Sequence, residues 1–278
     1  MPHTIRVAHS PDSDDAFMFY ALSKGLIDTG DISYVHELQD IETLNQRALR
    51  GELEVTAVSI HAYSYLTDRY ALLPHGASMG DRYGPRLVAR MPITQEELRG
   101  RRIAIPGPLT TAALVMRMYQ PDFVAITIPF DQIEDAVERG DVDAGLLIHE
   151  GQLTYKDRGL QLIVDMGVWW YDQTALPLPL GGNVIRKDLG DSLIRTISQH
   201  LRASIAHGLA NRPQALDHAM SFARGLDRAK ADEFVGMYVN DWTLDYGETG
   251  RRAVRTLLKR GVEAGIIEKQ VDVEFVDD

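Results

Sequence analysis

Two segments of the chain follow one pattern, and this repetition constrains the fold more than any other feature of the sequence. Residues 48–60 read ALRGELEVTAVSI and residues 137–149 read VERGDVDAGLLIH, so each passes from a helix end through Gly-acidic-apolar-acidic into an apolar strand. A helix that stops at a glycine before a short buried strand is typical of α/β units, although this connection is also common by chance. Because the pattern occurs only twice, it predicts two lobes built from the same unit and not a solenoid.

Short strands alternate with helices along most of the chain, which predicts largely parallel sheets covered by helices. The predicted strands are residues 4–9, 32–37, 54–58, 101–105, 125–128 and 142–148. The predicted helices are residues 16–24, 41–50, 60–67, 111–119 and 133–139. After residue 187 the chain is predicted to be mainly helical, to about residue 265.

Two extended runs bounded by proline and glycine, residues 85–90 and 177–186, mark where the chain is expected to cross between the lobes. We therefore predict a larger discontinuous lobe of residues 1–88 and 180–278, and a smaller inserted lobe of residues 89–179. Two such crossings form a hinge, and a ligand is expected in the cleft between the lobes.

Composition excludes several classes of function. The chain has 29 Lys and Arg residues against 40 Asp and Glu residues, a formal net charge of -11, which disfavours nucleic acid and anionic membrane surfaces as partners. No cysteine is present, so disulfides, thiolate catalysis and cysteine-ligated metals are excluded. The nine histidines show no metal-ligand spacing, and we expect neither a metal nor a cofactor.

The same sequence gives no sign of a membrane segment. Its longest apolar runs have five or six residues, whereas a membrane-spanning helix needs about 20. The N-terminal residues lack the apolar core of a signal peptide, so we expect a cytoplasmic protein. The sequence makes no prediction of the oligomeric state.

Three hydroxyl residues are predicted to lie where strands end and helices begin, the place at which open α/β sheets bind ligands. They are Ser59, Thr110 and Thr111. The free N–H groups and positive dipole end of a helix N-terminus suit a carboxylate, and hydroxyl groups add donors. Capping explains any one of these residues taken alone. Their occurrence in both predicted lobes nevertheless favours a binding site.

His149 ends the predicted strand 142–148, at a point where the chain must turn. A half-buried imidazole is the usual general base near neutral pH, so we expect His149 to be catalytic. The alternative is a structural histidine that is hydrogen-bonded to the backbone.

Asp12, Asp14 and Asp15 crowd the start of the first predicted helix. Capping and compensation of the helix dipole account for two of the three. A carboxylate that faces the cleft is expected to contact ligand hydroxyls, because it would repel a ligand anion.

A series of strings along the chain is informative in combination. They are HSPDSDDAFMFYAL (residues 9–22), IETLN (41–45), DRY (68–70), GP followed by VAR (84–90), IPGPLTTA (105–112), IHEGQLTY (148–155) and WW followed by LPLPLGG (169–182). Together they resemble the 1,4-dihydroxy-6-naphthoate synthase family, the lyases of the futalosine route to menaquinone. The resemblance covers nearly the whole chain to about residue 187 and continues more loosely beyond it. The IHEG and WW blocks are specific, whereas DRY alone is weak.

This resemblance implies a type II periplasmic-binding-protein-like fold, two α/β lobes joined by a two-strand hinge. It also implies that cyclic dehypoxanthine futalosine is cleaved at a C–C bond and aromatised to 1,4-dihydroxy-6-naphthoate without a cofactor. The catalytic histidine of the family falls on His149. The carboxylate-binding Ser and Thr-Ala fall on Ser59, Thr111 and Ala112, and Asp15 is the matched acid of the first helix.

The chain departs from the family pattern at the first turn, which commonly reads SPCPNDTFxF. It carries Asp12, Ser13, Asp14 and Ala16 at the altered positions, and Arg86 where an apolar residue is usual. Two other functions are considered. Dehydration of chorismate by the sister enzyme is disfavoured by the IHEG and WW blocks. Binding of a small carboxylate by a transporter component is disfavoured by the lack of a signal peptide and a lipobox cysteine.

Overall fold

A computed structural model describes residues 3–277 and shows two β-sheets, each covered by helices. The strands are β1 (His3–His9), β2 (Ile32–Leu38), β3 (Val55–Ser59), β4 (Tyr70–Leu72), β5 (Ser78–Gly80), β6 (Arg86–Ala89), β7 (Arg102–Ile105), β8 (Val124–Thr127), β9 (Ala144–Leu147), β10 (Gln161–Asp165) and β11 (Leu178–Arg186). The helices are α1 (Ser13–Met18), α2 (Tyr20–Ser23), α3 (Ile41–Leu49), α4 (Ile60–Tyr63), α5 (Thr111–Tyr119), α6 (Ile133–Arg139), α7 (Gly151–Thr154), α8 (Met166–Thr174), α9 (Asp191–Ala210), α10 (Arg212–Ala219), α11 (Arg228–Tyr238), α12 (Asp241–Leu244) and α13 (Gly247–Glu263). Within the described range, none of these helices combines the length and the apolar character needed to cross a bilayer.

The two sheets share one arrangement of strands, and this accounts for the repeated pattern in the sequence. The first sheet has the order β2-β1-β3-β11-β4, with β5 also paired to β11, and the second has the order β10-β6-β9-β7-β8. In the first, β1 is parallel to β2 and β3, and β11 is antiparallel to β3. In the second, β7 is parallel to β8 and β9, and β6 is antiparallel to β9. The repeated segments therefore supply β3 and β9, which occupy equivalent places.

The prediction of largely parallel sheets is wrong for about half of the strands. Strands β11, β4 and β5 of the first sheet and β6 and β10 of the second pair with their neighbouring strands in antiparallel fashion. Parallel neighbours need a long crossover, usually a helix, to bring the chain back to the same end of the sheet. The chain enters β6 and β11 directly from the other lobe with no such crossover, so each runs in the opposite direction.

The predicted helices differ from the observed ones mainly where polar side chains compete for the backbone. Helices α5 and α6 have the predicted bounds, and α6 ends at Gly140, which has the left-handed φ of +79°. The predicted helix 60–67 ends early, at Tyr63. The Ser64 hydroxyl donates to the His61 carbonyl at 2.6 Å, a local bond that competes with helix continuation. The predicted helix 16–24 begins earlier and breaks at Phe19 into α1 and α2.

One hydrophobic cluster joins the two lobes behind the cleft. It contains Val58 and Leu72 from the first sheet, Ile103 and Leu146 from the second, and Leu257 from α13. The predicted lobe boundaries stay a prediction. Because β6 belongs to the second sheet and the whole of β11 to the first, we propose that both crossings come just before these strands.

Candidate active site

A cleft opens between the lobes at the ends of β1, β3, β7 and β9, the kind of position where small-molecule ligands bind. Every residue predicted for the site lines it, from both sides. They are Asp15 and Ser59 on the first lobe, and Thr110, Thr111, Ala112 and His149 on the second. The fold therefore brings these residues together, while their individual roles stay predictions.

Ser59 is held by Asn45, a fully buried residue of α3. The Ser59 N–H donates to Asn45 Oδ1 at 2.9 Å, and Asn45 Nδ2 donates to Ser59 Oγ at 3.1 Å. The Ser59 side chain makes no capping bond to α4, so capping does not explain it. Because its oxygen accepts from Asn45, the Ser59 hydroxyl keeps its proton for a bond to a ligand.

Replacing Asn45 with alanine should lower the free energy of unfolding by about 1–3 kcal/mol, because the buried Ser59 N–H then loses its acceptor. Chemical denaturation measures this loss. The matched control is Gln46→Ala, an exposed neighbour on the same helix, which should change stability by no more than about 0.5 kcal/mol. Equal effects of the two substitutions would contradict the role assigned to Asn45.

The two threonines at the start of α5 make different bonds. Thr110 Oγ1 accepts from the Ala113 N–H at 3.2 Å and donates to the Gly107 carbonyl at 2.8 Å. Capping accounts for these bonds, and contact of Thr110 with a substrate stays a prediction. Thr111 Oγ1 instead accepts from the His61 N–H at 3.1 Å and donates to the Leu180 carbonyl at 2.6 Å, so it joins the two lobes.

The Thr111 hydroxyl proton is thus already used, and the main donors here are backbone groups. Among residues 3–277, the N–H groups of Thr111 and Ala112 have no hydrogen-bond partner. They are the first two N–H groups of a nine-residue helix, and both residues line the cleft. This end of α5 can therefore hold a carboxylate, and the role that the family resemblance implies for Thr111 and Ala112 stays a prediction.

His149 follows β9 and faces the first lobe. Its Nδ1 lies 3.0 Å from Oδ2 of Asp12, so its partner is a carboxylate and not the backbone. Burial lowers the pKa of His149, but the attraction of Asp12 outweighs burial and the pKa is raised above its ordinary value. Burial raises the pKa of Asp12, and the opposing effect of His149 brings it to about 2. Both shifts therefore favour the pair of an imidazolium and a carboxylate.

The pKa values of the other two acids of the first turn, Asp14 and Asp15, are raised, whereas that of Asp12 is lowered. Burial, with the negative charge of Asp12, raises the pKa of Asp15 to about 8, although Asp15 Oδ2 accepts from the Ser10 N–H at 2.7 Å. The same causes raise the pKa of Asp14 well above its ordinary value. The protonated form of both carboxyls is therefore favoured, and near neutral pH Asp15 can act as a donor. Contact of one of these acids with ligand hydroxyls stays a prediction.

The sequence did not indicate that several residues in or beside the cleft belong to the site. Tyr238 of α11 contacts the side-chain amide of Gln152 in α7 at 2.7 Å, across the lobes. Tyr238 lies in the helical tail, where its spacing is that of a core residue. The ring of Phe130 packs edge-on against His149 at 4.7 Å and lies 4.3 Å from the Arg224 guanidinium. These contacts join segments far apart in the chain.

Two aspartates of the first turn lie close enough to His149 for the three side chains to share a cation. Asp12, Asp14 and His149 each place one oxygen or nitrogen atom within 4.8 Å of the others. The hydrogen bond from His149 to Asp12, and the contact of Asp14 with Asp12, account for this spacing. We assign no metal ligand here, and the expectation of a metal-free site stays a prediction.

Comparison with known proteins places the chain in a family. The model of a family described as "Menaquinone biosynthesis" matches residues 5–263. A Thermus thermophilus protein named 1,4-dihydroxy-6-naphtoate synthase is 40% identical over 262 residues, which cover 94% of this chain and 95% of the relative. A Streptomyces coelicolor protein of the same name is 37% identical over 277 residues and 95% of each chain.

Solved structures agree with this assignment. A crystal structure of a protein from Archaeoglobus fulgidus matches with a TM-score of 0.91 and 48% identity, over 95% of this chain and 99% of that one. A Candida albicans protein described as having the generic periplasmic binding protein structural fold matches with a TM-score of 0.66 and 13% identity, over 98% and 97% of the two chains. The predicted two-lobe periplasmic-binding-protein-like fold is confirmed. With family model, relatives and fold in agreement, the chain belongs to the menaquinone biosynthesis family.

Proposed function

We propose that this protein is a lyase that converts cyclic dehypoxanthine futalosine to 1,4-dihydroxy-6-naphthoate, the product in the names of its relatives. The observation that carries the proposal is the position of His149, paired with a carboxylate inside a cleft whose other side can hold an anion. A carboxylate substrate with a reacting hydroxyl group needs both of these features.

The carboxylate is proposed to lie between Ser59 and the start of α5. Ser59 supplies a hydroxyl proton from the first lobe, and the N–H groups of Thr111 and Ala112 supply two donors from the second. Donors that are fixed before the ligand arrives cost little ordering on binding. This set would fix one end of the substrate and leave the ring toward His149.

His149 is proposed to act as the general base. It takes a proton from a ring hydroxyl, and the electrons of that O–H bond form a carbonyl as the adjacent C–C bond breaks in a retro-aldol-like step. The electron pair of the C–C bond passes to the other carbon as an enolate, which takes a proton back from the His149 imidazolium. Aromatisation of the product drives the reaction. The Asp15 carboxyl, with a pKa of about 8, can donate to substrate oxygens as charge develops there, and the raised pKa of Asp14 favours the same role for it. Closure of the lobes excludes water and aligns the base.

Incubation of the purified protein with cyclic dehypoxanthine futalosine, followed by mass detection of the naphthoate, tests the proposal. Formation of the naphthoate supports it. Tight binding of the substrate without turnover would instead favour a solute-binding protein. Loss of water from chorismate in a parallel incubation would favour the sister dehydratase.

Replacing Asp15 with asparagine should stabilise the fold at pH 7. The pKa of Asp15 is about 8 in the folded protein and near 3.8 when unfolded, so between these values the folded state binds more protons. Stability of the wild type therefore falls as pH rises through this window, and the asparagine variant escapes that loss. Thermal unfolding at pH 4 and pH 7 measures it: the variant should have the higher Tm at pH 7, with the difference shrinking toward pH 4.

Asp172→Asn, at an exposed position outside the cleft, is the control and should follow the pH dependence of the wild type. A lower Tm of Asp15→Asn at pH 7 would mean that the fold stabilises the ionised carboxylate. We expect the variant to gain stability and to lose activity. An active site keeps buried polar groups that the reaction needs, although these groups destabilise the fold.

A further inference from the structure

The contact between Asp12 and His149 crosses the cleft and has a consequence for the reaction. We propose that Asp12 is a positioning residue that orients the His149 imidazole and keeps it basic. The inference rests on the proposed function, in which His149 is the base. It starts from the 3.0 Å separation of Nδ1 and Oδ2 and from the burial of both side chains, which are 16% and 2% exposed for His149 and Asp12.

The Asp12 carboxylate is fixed independently of His149. Its Oδ1 accepts from the Asp15 N–H at 3.3 Å, and its backbone carbonyl accepts from the Ala16 N–H at 3.0 Å, so the first turn of α1 fixes its place. The preceding carbonyl, of Pro11, accepts from the Arg224 guanidinium at 3.0 Å. A carboxylate held in this way can orient a partner and does not simply follow it.

His149 is fixed from the other lobe. Its backbone has φ of +54°, a left-handed conformation that non-glycine residues adopt only when the surroundings impose it. Its carbonyl accepts from the Gln152 N–H at 3.1 Å, and the Phe130 ring packs against the imidazole. The fold therefore brings the imidazole to a carboxylate that is already in place.

This contact selects one tautomer. An ionised carboxylate only accepts hydrogen bonds, so the neutral imidazole carries its proton on Nδ1 and has its lone pair on Nε2. Among the described residues, Nε2 of His149 has no hydrogen-bond partner. A buried aspartate performs this same task for the histidine of hydrolase triads. Nε2 is thus the atom that can take the substrate proton.

Among the charged groups around His149, Asp12 has the largest effect on the imidazole. Asp14 and Asp15 also face it from α1, but burial and the charge of Asp12 raise their pKa values and so favour their neutral forms. Glu150, next in sequence, has a pKa that is raised by burial, and Arg224 opposes Asp12 with a positive charge.

Asp12→Asn separates this role from capping. Asparagine caps a helix as well as aspartate does and has nearly the same shape, so the substitution can keep the cap on Oδ1 while it removes the charge and the acceptor oxygen that faces Nδ1. Asp12→Ser, also a good cap, removes the contact as well and serves as the second variant. Asp131→Asn is the control, because it removes an exposed charge next to Phe130 without changing the pair.

The first readout is the titration of the His149 ring by NMR, with the resonance assigned from its absence in His149→Asn. Asp12→Asn and Asp12→Ser should lower the midpoint by about one pH unit or more, the usual effect of removing an opposite charge at this distance. Asp131→Asn should leave it unchanged. An unchanged midpoint in both Asp12 variants would overturn the inference.

The second readout is the pH dependence of turnover. The midpoint of kcat/KM should move to lower pH with the NMR midpoint, and kcat at pH 8 should fall by about 10- to 100-fold, less than on loss of the base itself. KM should change little, because Asp12 does not hold the carboxylate. A fall in kcat with an unmoved midpoint would mean a structural role only. A loss of activity on chelation, restored by a divalent cation, would instead mean a metal site.

The two hypotheses can fail separately. The NMR titration needs no substrate, so it decides on the Asp12–His149 pair whatever the reaction. A shifted midpoint in a protein that forms no naphthoate would refute the proposed reaction and keep the pair. Normal naphthoate formation with unshifted midpoints would refute the pair and keep the reaction.

Discussion

Replacing His149 with asparagine should lower kcat by about 100- to 10,000-fold, the usual contribution of a general base. Asparagine adopts the left-handed backbone of this position more readily than most residues, so the fold should survive. Its amide can still donate to Asp12, so the cleft should keep its shape and bind the product. Steady-state kinetics, with product binding by calorimetry, measures both quantities.

The direction in which kcat/KM changes with pH tests the same role of His149. A base works in its neutral form, and Asp12 raises the pKa of His149, so wild-type kcat/KM should rise with pH through a group above about 6.5 and fall again as Asp15 ionises, near 8. Glu150→Gln should cost less than His149→Asn. Near-normal turnover in folded His149→Asn would eliminate His149 as the base and leave the first-turn aspartates as candidates.

The double variant Ser59→Ala, Thr111→Val should weaken binding of the naphthoate by about 1–3 kcal/mol, since hydrogen bonds to a charged group are lost. This is about a 5- to 150-fold rise in Kd. Ser59→Ala alone should cause most of the loss, because the Thr111 hydroxyl proton already goes to Leu180. Calorimetric titration of the two single variants and the double variant gives the coupling between the sites.

Thr110→Ser is the control for this experiment, because serine preserves the cap of α5. Binding in that variant should match the wild type. If the double variant binds the naphthoate as tightly as the wild type does, the carboxylate lies elsewhere in the cleft.

Local features of the fold could be predicted because local chemistry sets them. The apolar spacing of α5 and α6 and the glycine after α6 fixed their ends. Both copies of the Gly-acidic-apolar-acidic pattern became central strands of their sheets. The antiparallel strands could not be foreseen, because their direction depends on where the chain crosses between the lobes.

Some features of the candidate site could likewise be predicted from the sequence, and others could not. Strand ends and helix starts placed Ser59, Thr111 and His149 at one cleft, because position along a strand is readable from the sequence. The pairing of His149 with Asp12 joins residues 137 positions apart and depends on how the two lobes face each other. The spacing of apolar and polar residues along the chain does not indicate such a contact. Capping predicted part of the role of Asp12 and gave no hint of the rest.

The shared strand order of the two sheets has a further consequence, a division of labour between two copies of one unit. Ser59 ends β3, His149 follows β9, and these strands hold equivalent places in their sheets. In the proposed mechanism, one copy thus presents an anchoring group and the other presents the base from nearly the same structural position. Neither lobe then holds a complete active site, so we expect a variant whose lobes cannot close on the substrate to lose turnover.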